Sequence, residues 1–124
     1  AFQSLFNDFS NQLILAFNLK KRICFHGATN GLNAFLYTTN LNKYDFSIFD
    51  GDKAKDGQFL PTCRKSIKHV SHMDYTSYDI IVISAMSFFD EIKASATESG
   101  YRPDQIVPMS VEGTEILAEC ENAE

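Results

Sequence analysis

The chain has 124 residues, enough for one domain with a core of its own, and its apolar share of 44% sets it apart from disordered sequences. Its net charge of −5, without any long basic block, argues against nucleic acid or an anionic membrane surface as partner. Eleven Phe and no Trp point to an aromatic-rich interior.

Phe2, Leu5, Phe6, Phe9, Leu13 and Phe17 recur at helical spacing, so residues 2–18 are expected to form an amphipathic helix packed by its Phe face. The apolar run 13–17 within it falls far short of the roughly 20 residues a bilayer span needs. The basic cluster Lys20, Lys21 and Arg22 follows this run rather than preceding it, the reverse of a signal peptide. Residues 21–26 then read as a first strand, apolar enough to be central and buried on both faces. A turn over Gly27, Ala28, Thr29 and Asn30 leads into a helix over residues 31–41, with Leu32, Phe35 and Leu36 on one side. Residues 45–49 form a second strand that ends on Asp50. Residues 50–66, rich in charge and carrying Gly51, Gly57 and Pro61, read as a long loop, a kind that is seldom idle. A short third strand is expected over 67–70. The clearest strand of the chain is 78–84, built around Ile80, Ile81, Val82 and Ile83. A helix over 90–99 stops at Gly100, a natural terminator. Pro103 opens a turn before a last strand over 105–109, and from Val111 the chain is an acidic tail with partial helical character and a frayed end. Strands alternating with helices predict an α/β domain with a doubly wound, mostly parallel sheet of about five strands. No internal repeat or linker divides it, so residues 1–124 are read as a single domain: the N-terminal helix, a βαβ core over 21–110, and the tail. Because the sequence starts at Ala1 without Met, it is expected to be either a fragment of a longer protein or a trimmed chain.

Strand, glycine turn, helix, strand and acid, in that order, is the plan of a nucleotide-binding βαβ unit. A turn without bulky side chains lets phosphate approach the backbone, and the helix start offers free N–H groups and the positive end of a dipole. The ligand-binding candidates are therefore Gly27, Ala28, Thr29 and Asn30, with Asp50 as acceptor for ribose hydroxyls and Asp52 as its rival. The bland alternative for the turn is an ordinary strand-to-helix connection. Thr29 and Leu32 stand where the three-glycine fingerprint has Gly. Ser84, at the end of the strongest strand, is expected to line the same crevice, whereas Ser87 is expected to cap the helix that follows. His26, just before the turn, is placed to contact a phosphate or carry a proton, but no partner acid or nucleophile can be paired with it, so no catalytic residue is assigned. Cys63, His69 and His72 fit no strong zinc spacing, and no metal is expected. Cys24, Cys63 and Cys120, odd in number and widely spaced, are no disulfide framework, and with no export signal a cytoplasmic location is expected.

Several segments together resemble the C-terminal domain of sugar C-methyltransferases. These are Gly27-Ala28 with Asn33 at the helix start, the acidic strand end and the glycine–aromatic–proline loop from Asp50 to Pro61, the segment Ser84 to Ile92, the closing strand Ile106 to Met109, and the Phe-rich opening helix. The resemblance spans roughly residues 2–110 in order. The chain departs from the family at Gly31-Leu32, at Thr29, and at Cys63-Arg64 after Pro61. The resemblance implies a Rossmann-like three-layer domain that helps hold a nucleotide or nucleotide sugar in an enzyme of sugar or polysaccharide biosynthesis. It also implies that S-adenosylmethionine binds in a separate domain and that the catalytic residues lie outside this chain. Two rival readings stand beside it: a self-contained NAD-type dinucleotide module, and a non-catalytic interaction domain that associates through its Phe-rich helix.

Overall fold

The computed structural model describes residues 2–122, and their side chains except at 2–5, 75 and 120–122. Five parallel strands form one sheet in the order β3-β2-β1-β4-β5: β1 Ile23–His26, β2 Ser47–Asp50, β3 Ile67–His69, β4 Ile80–Ile83 and β5 Ile106–Pro108. Four helices accompany it, α1 Phe2–Asn18, α2 Asn30–Thr39, α3 Phe89–Glu98 and α4 Val111–Asn122. This is a Rossmann-like three-layer α/β fold with an N-terminal helix. Each expected strand appears, shortened by a residue or more at one or both ends, except that β2 runs on to include Asp50.

The layers follow from alternation along the strands. Ile23 and Phe25 of β1, Ile48 of β2, and Ile80 and Val82 of β4 face one cluster with α1, α2 and α4. Cys24, Phe49, Ile81 and Ile83 face the other, with Ala96 of α3 and Tyr101. From β1 the chain steps outward to β2 and β3, then returns to β4 on the opposite flank, so crossovers of one hand put α2 and α3 on opposite faces. The aromatic interior is real: Phe6 and Phe9 meet the Phe35 ring edge-on at 5.3 and 5.7 Å, and Phe25 meets Phe46 at 5.0 Å.

Three expectations need correction. The Phe face of α1 is not an open docking surface, because Phe6, Phe9, Leu13 and Phe17 are buried in the chain's own core (the side chains of Phe2 and Leu5 lie outside the described residues). The acidic tail is largely a full helix. Leu117 of α4 is buried, and Gly113 fits so closely that a Cβ there would stand 1.7 Å from the Pro108 carbonyl oxygen and 2.9 Å from Phe9. The frayed end expected for the tail includes Ala123 and Glu124, which lie outside the described residues. Ser87 sits in a 3-10 turn ahead of α3 and makes no capping bond; Asp90 and Glu91 in the first turn of α3 supply the negative charge that a helix start favours.

The long 50–66 segment closes the sheet edge. Gly57 N–H donates to the Ile67 carbonyl at 2.8 Å and Ile67 N–H to the Gln58 carbonyl at 2.7 Å, so β3 is paired on both sides. Thr62 ties this segment to α2, its N–H donating to Asn33 Oδ1 at 3.1 Å. Among the described residues no helix is long and apolar enough to cross a membrane.

Candidate functional site

In a parallel sheet wound both ways, the crevice for a ligand opens at the carboxyl ends of the strands, where the winding reverses. Here that point lies between β1 and β4. A cleft of about 550 Å³ opens there, walled by His26 and Gly27 at the end of β1, by Asp50, Gly51, Asp52 and Lys55 at and after the end of β2, and by Ala85, Phe88, Glu91 and Ile92 after β4. Its size lies within the usual range for small-molecule sites. Two smaller depressions, about 350 and 380 Å³, lie at the opposite edge of the sheet. There Arg22 and Asp79 pair at 3.2 Å, and Arg102 and Asp104 at 3.5 Å. Strand polarity favours the first cleft.

The glycine turn is held from several sides. Gly27 takes φ +118, and a Cβ on it would stand 2.7 Å from Ala85 Cβ and 2.7 Å from Ala85 N. Glycine is therefore needed to press the turn against the exit of β4, independently of any phosphate. Gly27 N–H donates to the Phe49 carbonyl at 2.7 Å. Ala28 N–H donates to Asp50 Oδ2 at 2.8 Å, while Asp50 Oδ1 accepts from Asp52 N–H at 2.8 Å. Lys55 Nζ donates to the Ala28 carbonyl at 3.1 Å and stands 3.6 Å from Asp50 Oδ2. Thr29 is the N-cap of α2, its Oγ1 accepting from Leu32 N–H at 3.1 Å. The backbone N–H groups of Thr29, Asn30 and Gly31 have no partner among the described residues.

The structure thus brings Gly27, Ala28, Thr29, Asn30 and Asp50 to one place, but only part of that group faces outward. Two of the four expected amide donors are already engaged, and Asp50 is turned back onto the turn. The Ser84 hydroxyl donates to the Gly27 carbonyl, and to that of His26 at 3.2 Å, so it braces the turn instead of facing the crevice. Asn33 likewise serves the fold, through Thr62.

Burial pushes the Asp50 carboxyl up, but the amides of Asp52 and Ala28 and the Lys55 ammonium together hold it below its ordinary value. His26 is only 8% exposed, and its Nδ1 is enclosed without a hydrogen-bond partner. Burial holds the imidazole pKa down, against the opposing pull of Asp50, so the ring is neutral at pH 7. Among the described residues no three His, Cys, Asp or Glu side chains gather as a metal-binding group. His69 caps a short turn, its ring nitrogen accepting from Ser71 N–H at 3.2 Å.

Lys55, Phe88, Glu91 and Ile92 were not singled out as ligand contacts in the sequence. The crowding of residues 50–57 with charge was the available signal for Lys55. Phe88 is 55% exposed and forms one wall of an open cleft. Comparison of the chain with protein-family models, curated proteins and solved structures finds no match.

Proposed function

We propose that this chain is an accessory ligand-binding domain whose cleft holds a nucleotide or nucleotide sugar. The observation that carries this reading is the cleft itself. It lies at the reversal point of the sheet, beside a glycine turn and the exposed start of α2, and it combines polar groups with an apolar wall. The contribution to a reaction would be orientation of the bound molecule. No residue is assigned a catalytic role, because the enclosed Nδ1 of His26 has no hydrogen-bond partner among the described residues. The wider setting, a methyltransferase-type enzyme of sugar or polysaccharide biosynthesis with S-adenosylmethionine held elsewhere, draws its support from the order of segments between the opening helix and Met109.

The test is a backbone-amide NMR titration of the full chain with uridine and adenosine diphosphates and their glucose conjugates at millimolar concentrations. Shifts gathered at residues 26–31, 50–55 and 85–92 are expected. No shift with any of them, or shifts confined to the opposite sheet edge, would remove the reading. A shift with NADH alone would favour the dinucleotide module instead.

A further inference from the structure

Resting on the ligand-binding reading above, we infer that the cleft takes the uncharged nucleoside part of its ligand, and that Asp50 keeps phosphoryl groups out of the glycine turn by occupying it. A glycine turn ordinarily receives phosphate on its free N–H groups. Here the buried Ala28 N–H already donates to a carboxylate at 2.8 Å, and Gly27 N–H to the Phe49 carbonyl. The internal carboxylate has taken the anion's place.

The remaining charge points the same way. Asp50, Asp52 and Glu91 line the cleft against a single lysine, and that lysine is engaged with Asp50 and the Ala28 carbonyl. A phosphoryl group there would face three carboxylates with no uncommitted cation, and like charges repel. Hydroxyl groups meet the opposite situation. Glu91 and the second oxygen of Asp52 are acceptors, since Asp52 uses only Oδ1 on Ala54 N–H.

His26 borders the cleft, and its Nδ1, the one enclosed side-chain polar atom among the described residues that lacks a partner, is closed off from solvent. The exposed ring of Phe88, beside Ile92, gives a flat apolar face on which a base can stack. Phosphates attached to such a nucleoside would lie outside the turn, toward the free N–H groups of Thr29, Asn30 and Gly31 at the start of the ten-residue helix α2.

The experiment uses the full chain with adenosine, uridine, their 5′-diphosphates and inorganic pyrophosphate, followed by amide NMR. At least one nucleoside should bind within about tenfold of its own diphosphate, moving His26 and the 85–92 amides, while pyrophosphate leaves Gly27 and Ala28 unmoved. A diphosphate that binds more than about tenfold tighter than its nucleoside, or pyrophosphate that shifts Gly27 and Ala28, overturns the inference while leaving nucleotide binding intact. Silence from every nucleoside and diphosphate removes both. The Asp50→Ala chain, once shown to be folded by the dispersion of its amide spectrum, should gain about tenfold in pyrophosphate binding at the freed Ala28 amide, and no gain would count against the idea. Should that variant not fold, the unmodified chain still decides.

Discussion

Replacing Asp50 by Asn tests the clamp on the glycine turn. The two carboxylate oxygens accept from two different amides, Oδ2 from Ala28 and Oδ1 from Asp52, each at 2.8 Å. A carboxamide has one acceptor oxygen, so either the Ala28 or the Asp52 N–H must face an NH₂ group. The attraction to Lys55 Nζ, 3.6 Å away, goes as well. The Asp50 side chain is 13% exposed, and losing one of its charge-assisted hydrogen bonds together with the attraction to Lys55 should cost about 2 kcal/mol. For a chain of this size that corresponds to a fall of about 8 °C in Tm.

Urea denaturation at pH 7 measures this loss, and repetition at lower pH checks its origin. The folded carboxyl lies below its ordinary 3.8, so its contribution is complete above that value and disappears as pH falls through the depressed one. The gap between the parent chain and Asp50→Asn should therefore hold from neutral pH down to about pH 5 and shrink below about pH 4. Asp52→Asn, which touches a single exposed amide, should lose much less. If Asp50→Asn matched Asp52→Asn in stability, or if the gap persisted unchanged into acid, the carboxylate would not be holding the turn.

His26 is held neutral by burial, so its folded pKa lies below 6.5 and stability should fall as pH drops from 6.5 toward that value; His26→Phe should flatten this slope in urea titrations between pH 7 and 5, and an unchanged slope would refute the assignment. Gly113→Ala should destabilise by at least about 2 kcal/mol, since its Cβ has no room against Pro108 and Phe9, and a chain within experimental error of the parent would show that α4 does not seat as described. Iodoacetamide on the native chain, mapped by peptide, should label Cys63 well ahead of Cys24, which is fully buried with its thiol pKa pushed up by that burial; equal labelling would contradict the packing of β1.

Most of the fold is written in local patterns. Ile80 to Ile83 reads as a buried central strand because both its faces are covered, and Gly100 ends α3 with φ +96 as a helix terminator should. α4 was less legible for a physical reason. Its clearest anchors, Gly113 and Leu117, include a glycine, and glycine signals weakness within a helix when read alone. Its value lies in a contact across space, where the absent side chain lets the helix settle onto the end of β5 and the ring of Phe9. The pairing of Gly57 and Gln58 with Ile67 of β3 escaped for a similar cause, since a short polar segment joins an edge strand by backbone bonds that leave little trace in side-chain pattern.

The place of the cleft was legible, but the direction in which its acid points was not, and the difference lies in side-chain alternation at the strand ends. Phe25 faces the α2 layer, so the next residue, His26, turns toward the α3 side, where Phe88, Glu91 and Ile92 complete the cleft. Phe49 faces the α3 layer, and β2 continues one residue further to pair Asp50 with His69. Asp50 consequently emerges on the α2 side, where Ala28 leads into that helix, and its carboxylate meets the turn. Spacing from the glycines places an acid at the strand tip in either case. Whether that acid waits for a ribose or caps the turn depends on which face its side chain leaves by, and that is set by where β2 ends. A β2 that stopped at Phe49 would leave Asp50 in the loop with no face imposed on it; the one added pair commits it to the turn.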